Sequence, residues 1–449
     1  MIMGSLDHQT PPSLLQDLKV TTLRSTIISP KEKKDRRWVF LSNIDKVLNF
    51  DVETITFFRT TAGLSREAVV KKLSSGIESV LGLYDTQAGR LGVNPADGRL
   101  AIDCTAAGVA LCVAESELKL EDLGDLEYPN PAFRQLVAEK KGNAVAELGD
   151  TPLTTFQVTW FKCGGFALGI CNNHITFDGL SFRTFLSNIA ALAADRPLTS
   201  LPCHDRHLLA ARSPPQVTFE HPELRPLPPD SASLFSMPIP RLHYHLFHLA
   251  ADTISDLKSK CQQETVKHNP TGFNCVTAHL WRCKVLSSDT SEEPGKDHIY
   301  TVAFAMDIRR RLNPPLPNEF AGNAVLSAYA SASLVELETA PLGLLVDRVH
   351  EGAERITDAY IRSTVDWGET NIGVPYGDVL ISSWWRLGFD DIEYPWGRPI
   401  YSCPVADAER DIVLLLPSSE SDKGVNCLVP LKDDCVEKFK HLFYKYLQK

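Results

Sequence analysis

What this chain lacks narrows its class before anything it contains. Across its 449 residues there is no apolar run of the roughly 20 residues that a membrane-crossing helix needs. Positive charge is short as well, with 46 Lys and Arg against 56 Asp and Glu, a formal net charge of −10. Neither a nucleic acid nor an anionic membrane surface is therefore an expected partner. The 11 cysteines are scattered singly from Cys104 to Cys435, with no CxxC pair. Met1 to Asp7 is short and polar, without the apolar core of a signal peptide, and Leu447-Gln448-Lys449 is no peroxisomal signal. An odd cysteine count with no secretory signal fits reduced thiols and a cytoplasmic protein. GxSxG, GxxxxGK and HExxH are missing, which removes serine-hydrolase, nucleotide-binding and zinc-protease readings.

What is present points to two domains, because the chain is too long for one ordinary core. The stretch from Pro197 to Pro229 holds eight prolines and divides the sequence almost in half. Proline removes a backbone donor and stops helices, so this segment is expected to run extended over the surface. The resulting division is residues 1–196, a Pro-rich crossover at 197–235, and residues 236–449. Both halves mix helix and strand periodicity, which makes the fold class α/β, or α+β with mixed sheets. Val69, Leu73, Ile77, Val80, Leu81 and Tyr84 recur at helical spacing after Ser65, a suitable N-cap. Phe166 to Cys171 reads as a buried strand, and a helix follows from about Leu180 to Ala194. Further expectations are a helix over Thr253 to Lys260 with a Thr253–Asp256 capping box, buried strands at Tyr300–Ala305 and Ile412–Leu416, and a C-terminal amphipathic helix behind Asp433 and Asp434. His243, His245 and His248 sit on opposite faces of one strand, so a metal site is not expected there.

The most informative segment is Cys171-Asn172-Asn173-His174-Ile175-Thr176-Phe177-Asp178-Gly179. A strand ends, a histidine appears at its exit, and Asp178 stands where it can cap the next helix. An imidazole near neutral pH can accept a proton, so His174 is a candidate general base. By themselves the two residues of an HxxxD pattern also fit a buried structural histidine.

Read with their surroundings they resemble the BAHD acyltransferases, plant enzymes that move an acyl group from coenzyme A to an alcohol or amine. The segments that carry the resemblance follow in order. They are Ala88-Gly89-Arg90-Leu91, the strand from Phe161 to Gly169, His174 with Asp178 and Gly179, Trp281-Arg282-Cys283, and Asp307 to Pro317 followed by Gly322-Asn323. The family's Asp-Phe-Gly-Trp-Gly segment is altered here to Glu393-Tyr394-Pro395-Trp396-Gly397. That change puts the shape of the channel in question more than the chemistry. It also motivates two alternatives, a coenzyme-A-independent acyl or carbon–nitrogen cleavage and a non-catalytic accessory role.

The resemblance implies two chloramphenicol-acetyltransferase-like domains with a channel between them and a monomeric enzyme. It implies acyl-CoA as co-substrate, a small-molecule alcohol or amine as acceptor, and neither a bound cofactor nor a metal. His174 would then be the base. Trp396 or backbone N–H groups near Asp178 and Gly179 would hold the oxyanion. Asp178, Gly179, Glu393 and Gly397 would be structural, with Arg282 as the arginine paired to Asp178. Lys284, Arg309 and Arg311 are the candidate coenzyme A contacts, with ordinary ion pairs as the alternative for each.

Overall fold

The computed structural model describes residues 14–32, 34–59, 63–140, 149–227, 242–264, 267–288, 298–406, 411–419 and 423–447. Met1 to Asp7, the crossover beyond residue 227, and Gln448 with Lys449 lie outside the described residues. The first half runs β1 (Val20–Ile28), β2 (Trp38–Phe40), α1 (Asn43–Val47), β3 (Asp51–Phe58), α2 (Arg66–Leu81), β4 (Arg90–Val93), β5 (Leu100–Asp103) and β6 (Val109–Ser116). It continues with β7 (Thr154–Trp160), β8 (Phe166–Asn173) and α3 (Gly179–Ala193). After β9 (Leu224–Pro226) in the crossover come β10 (His243–Leu249), α4 (Ala251–Gln263), α5 (Gly272–Ser287), β11 (Ile299–Asp307) and β12 (Val325–Ser333). Helices α6 (Leu334–Thr339), α7 (Leu342–Glu354) and α8 (Asp358–Thr370) follow. The chain finishes with β13 (Gly373–Pro375), β14 (Val379–Ser383), β15 (Tyr401–Pro404), β16 (Ile412–Pro417), β17 (Val425–Leu431) and α9 (Val436–Lys445).

Two six-stranded mixed sheets organise the molecule. The first has the order β1-β6-β7-β8-β3-β15 and the second β10-β17-β16-β14-β11-β12. Helix α2 starts where Ser65 accepts a hydrogen bond from the Ala68 amide at 3.2 Å, and buries Val69, Leu73, Ile77 and Val80 with α3 against the first sheet. Each such side chain contributes roughly 1.5–3 kcal/mol on full burial. Tyr84 lies past the helix end and still joins this core, edge-on to Phe177 and Phe185. In the second half α9 inserts Phe439 and Phe443 against Phe247 on β10. Between the sheets, Ile55, Phe57 and Ala167 share a cluster with Leu416 and Leu428.

Several sequence expectations change. Helix α4 begins at Ala251 with Ala250 as its cap and no side-chain capping bond, so Thr253 and Asp256 form no capping box. The crossover is extended but not bare: β9 pairs with β13, and a short 3-10 turn over Arg206–Leu209 reaches into the interior. The halves also interlock. Strand β15 leaves the second half and pairs antiparallel with β3, Tyr401 opposite Phe57, closing an edge of the first sheet. The three strand histidines lie on β10, where His243 bonds Asp433 at 2.7 Å and His248 bonds Asn426 at 2.9 Å.

Candidate active site

Strand β8 ends at Asn173, and the next residue, His174, turns into a cavity of about 890 Å³ between the halves. Its backbone is held from two sides. The His174 amide donates to Phe50 O at 2.8 Å, and the His174 carbonyl accepts from Asn323 Nδ2 at 2.9 Å. The imidazole tilts against the Phe50 ring, centroids 5.2 Å apart.

Asn323 sets the tautomer. Its Nδ2 faces three oxygens, on Asp45 (2.9 Å), His174 (2.9 Å) and Ile175 (3.2 Å), so this end of the amide must be the donor. Oδ1 is then an acceptor, and it lies 3.1 Å from His174 Nδ1. The ring hydrogen therefore sits on Nδ1, and Nε2 keeps a lone pair for a proton. Asn323 is fully buried, and its partner Asp45 is fixed in turn by Ser42 in the capping box of α1 and by Arg206 at 2.7 Å. Arg206 comes from the crossover and also donates to the Ile175 and Thr176 carbonyls. The Pro-rich segment thus builds the floor of the site as well as joining the halves.

Asp178 turns away from this chain of contacts. It caps α3, accepting from the Ser181 amide at 2.9 Å, and accepts from the Ala324 amide at 2.8 Å. Its ion-pair partner is Arg309, with NH1 at 2.8 Å and NH2 at 3.0 Å, a forked contact between buried groups. Burial works against the Arg309 charge, but the Asp178 and Asp307 carboxylates outweigh it and hold the guanidinium pKa above its ordinary value. The pairing of Asp178 with Arg282 is corrected accordingly. Arg282 lies on α5, where it donates to the Ala340 carbonyl and lies over the Tyr446 ring, tying down the C-terminal helix. Arg309 follows the end of β11 and meets the start of α3 directly. At Gly179 an added Cβ would stand 2.6 Å from Leu387 Cδ1, so a side chain there would press on the cavity wall.

The remaining expected residues are dispersed. Lys284 bonds Asp411 at 2.6 Å and the Pro430 carbonyl at 2.7 Å, and Arg311 pairs with Glu354 at 3.0 Å; neither lines the cavity. Arg309 does line it but is committed to Asp178 and Asp307. All three cations are in ion pairs, which is the alternative that stood beside the coenzyme A reading for each. Trp396 stacks on Tyr394 and packs edge-on to Phe58 and Phe166 in the first-half core, outside the cavity lining, so its indole is not placed to hold an oxyanion. Glu393 is exposed, its carbonyl accepting from Arg196. Gly397 has φ +117, which suits glycine, and closes a tight turn with Tyr394. The altered segment therefore shapes a core turn; the cavity wall is made instead by residues 384–387 and Phe389.

Most of the lining is apolar, including Val47, Leu48, Leu227, Phe304, Ile372 and Trp384. Its lysines and arginines are Lys46, Arg309 and Arg386. Asn323 stands in the Gly322-Asn323 segment of the resemblance, whereas Asp45 and Arg206 belong to none of its motifs. The Ser42–Asp45 capping-box spacing was the available signal for Asp45; Arg206 left none.

A two-sheet scaffold with a histidine at a strand exit, opening on a cavity between halves, defines a two-domain acyltransferase. The comparisons give the family. The Transferase family matches residues 18–446, and the chain belongs to that family, the BAHD acyltransferases. Acyltransferase GLAUCE of Arabidopsis thaliana is 48% identical, over 98% of this chain and 99% of that one. Omega-hydroxypalmitate O-feruloyl transferase of the same plant is 32% identical, over 95% and 93%. Among solved structures, vinorine synthase superposes with a TM-score of 0.74 at 23% identity, over 95% of this chain and 98% of that one. Fusarium graminearum TRI101 complexed with ethyl coenzyme A gives 0.72 at 14%, over 90% and 97%.

Proposed function

We propose that this acyltransferase moves an acyl group from acyl-CoA to the hydroxyl, or amine, of a small plant metabolite, with His174 as general base. The observation that supports this reading is the Asn323–His174 contact, which puts the ring hydrogen on Nδ1 and the basic lone pair on Nε2. The deprotonated oxygen attacks the thioester carbonyl, a tetrahedral oxyanion forms, and its collapse expels the coenzyme A thiolate. His174, now protonated, returns the proton to that sulfur. The first-turn N–H groups of Gly179 and Leu180 have no intrahelical acceptor and lie on the cavity, so they take the oxyanion. Asp178 and Arg309 keep a buried, charge-balanced pair beside the base without entering the chemistry.

Two arms of the cavity serve the two substrates. Arg386 is an exposed residue of the cavity lining, its guanidinium over Trp385, and Trp385 lies beside Gly272 at the start of α5. A wet arginine and a helix N-terminus suit the phosphates of coenzyme A. The wall between α1, α8 and β13 is mostly apolar, with Lys46 and Asn43 among its residues, and takes the acceptor. Relatives named for omega-hydroxypalmitate and for fatty alcohol fit such an arm. The enzyme acts as a monomer in the cytoplasm. Among the described residues no helix is long and apolar enough to cross a membrane. Since Glu393, Tyr394 and Pro395 lie off the cavity, nothing in the site favours a reaction without coenzyme A.

The test is to incubate the protein and its His174→Ala variant with a panel of acyl-CoA donors and pooled plant extract, following coenzyme A release and new products by mass spectrometry. An acylated product that disappears in the variant supports the transferase reading. Consumption of an extract metabolite without coenzyme A release overturns it.

A further inference from the structure

The Asn323 amide could stand in its pocket in two ways, and only one of them suits a base at His174. With Nδ2 turned toward the imidazole, the ring would accept at Nδ1 and carry its hydrogen on Nε2. A carboxamide nitrogen has two hydrogens, yet three oxygens face it: Asp45 Oδ1, the His174 carbonyl and the Ile175 carbonyl. Arg206 decides among them. Its NH1 donates to the Ile175 carbonyl at 3.2 Å and its NH2 to the Thr176 carbonyl at 2.6 Å. The two amide hydrogens are then left for the His174 carbonyl and the Asp45 carboxylate. The same NH1 lies 2.7 Å from Asp45 Oδ1, and each side chain is 1% exposed. The other carboxylate oxygen accepts from the Ser42 amide at 2.9 Å and its hydroxyl at 2.8 Å, so Asp45 is held against rotation. The crossover that carries Arg206 is itself tied to the Asn323 loop. The Cys203 amide donates to Glu319 O at 2.9 Å, and the Ala321 amide donates to Cys203 O at 2.8 Å. At Gly322 an added Cβ would stand 3.4 Å from Arg206 Cζ, so the guanidinium lies directly on the backbone that leads into Asn323.

Resting on the reading of His174 as the base, we infer that Asp45 and Arg206 are positioning residues, which lock the Asn323 amide and through it the tautomer of His174. Neither lines the cavity, so both act through Asn323 and the loop that follows His174. The charge on Asp45 matters. Turning the amide over would replace a charge-assisted hydrogen bond by an oxygen set against a carboxylate. A pair that served only to anchor the crossover would need the contact between Arg206 and Asp45 and nothing more. Here both residues also converge on the carbonyls and the amide that flank the imidazole. The Pro-rich segment, which belongs to neither six-stranded sheet, thereby sets which nitrogen of the base carries the lone pair.

The test uses the full chain with histidine labelled in its ring nitrogens, read by long-range proton–nitrogen correlation spectra at mildly alkaline pH. These tell a nitrogen that carries hydrogen from one that carries a lone pair, and His174→Gln identifies the His174 signals. The unaltered protein should show the hydrogen on Nδ1; finding it on Nε2 overturns the inference, whatever the variants do. In Asp45→Asn the second tautomer should appear, with kcat down about 10- to 100-fold and KM for both substrates little changed. Arg206→Lys keeps the charge but not the fork of bonds, and should fall between the two. Because Asp45→Asn leaves Arg206 buried without its counter-charge, the double variant Asp45→Asn/Arg206→Gln, which removes both charges, is measured beside it. Thermal melts establish which variants are folded. A folded Asp45→Asn or double variant that keeps the native tautomer overturns the inference, even if its melting temperature or turnover has dropped. Acyl-CoA turnover of His174→Ala judges the base reading separately, because the tautomer spectrum needs no chemistry.

Discussion

Asn323 Oδ1 lies 3.1 Å from His174 Nδ1, and the opposite end of the same amide is held by Asp45 and two carbonyls. A neutral side chain thus orients the imidazole, where a carboxylate would raise its basicity. Buried ion pairs, Arg206–Asp45 and Arg309–Asp178, flank the loop and balance their own charges.

Replacing His174 by alanine should lower acyl transfer by roughly 10²- to 10⁴-fold, the usual contribution of a positioned base. Substrate binding should survive. Coenzyme A release and a binding titration on the same preparation separate the two.

Asn323→Ala removes the group that selects the tautomer but leaves the ring in place. We expect kcat to fall about 10- to 100-fold with little change in KM, and the pH–rate profile to move because Nδ1 loses its acceptor. A merely structural role would lower the melting temperature and leave that profile where it was.

Arg309→Met strands the Asp178 carboxylate in the interior and should cost about 3–5 kcal/mol, against which Arg309→Lys recovers only part because lysine cannot reproduce the fork. Arg282→Met, far from the site, should lower the melting temperature through loosening of α9 while turnover per folded molecule persists. Urea melts scored against activity decide the pair.

Asp390 supplies a pH signature. Burial pushes its carboxyl pKa up to about 6, with Asp391 adding to the effect. The folded protein holds this proton more tightly than the unfolded chain, so stability is highest below the unfolded value and declines as pH rises through 6. Asp390→Asn should therefore stabilise by on the order of 2–3 kcal/mol at pH 8 and by little at pH 4. Chemical denaturation at the two pH values measures it; equal effects would refute the assignment.

Glu223 binds Tyr360 Oη at 2.7 Å and His221 Nδ1 at 3.0 Å, pinning the crossover onto α8. Glu223→Ala leaves the Tyr360 hydroxyl buried without its acceptor, at roughly 1–3 kcal/mol, and leaves His221 Nδ1 only the longer contact to Thr364 Oγ1 at 3.4 Å. Proteolysis should then cut first within residues 213–227.

Local pattern made much of this legible. Ser65 and the apolar stripe of α2 were readable because cap and periodicity act within one element. His174, Asp178 and Gly179 were readable because strand exit, cap and turn follow one another in the chain. What escaped was contact between distant segments. The partner of Asp178 had to be chosen among many arginines, and no spacing marks Arg309 over Arg282. The cations expected at coenzyme A were already held by Asp411, Glu354, Asp307 and Asp178. Trp396 carried a family signature, but its burial among Phe58, Phe166 and Tyr394 is a tertiary fact.

The pairing of β15 with β3 bears on how this protein is made. When the ribosome has finished α3, the first sheet still lacks the strand that covers β3, and that strand is not synthesised until the chain reaches Tyr401. During translation β3 is a raw edge, with backbone donors and acceptors open to any extended chain nearby. Cutting the gene at the Pro-rich crossover would leave an N-terminal fragment permanently in that condition, able to cap itself only with another copy's strand. The two halves are separate in sequence but form a single unit of assembly.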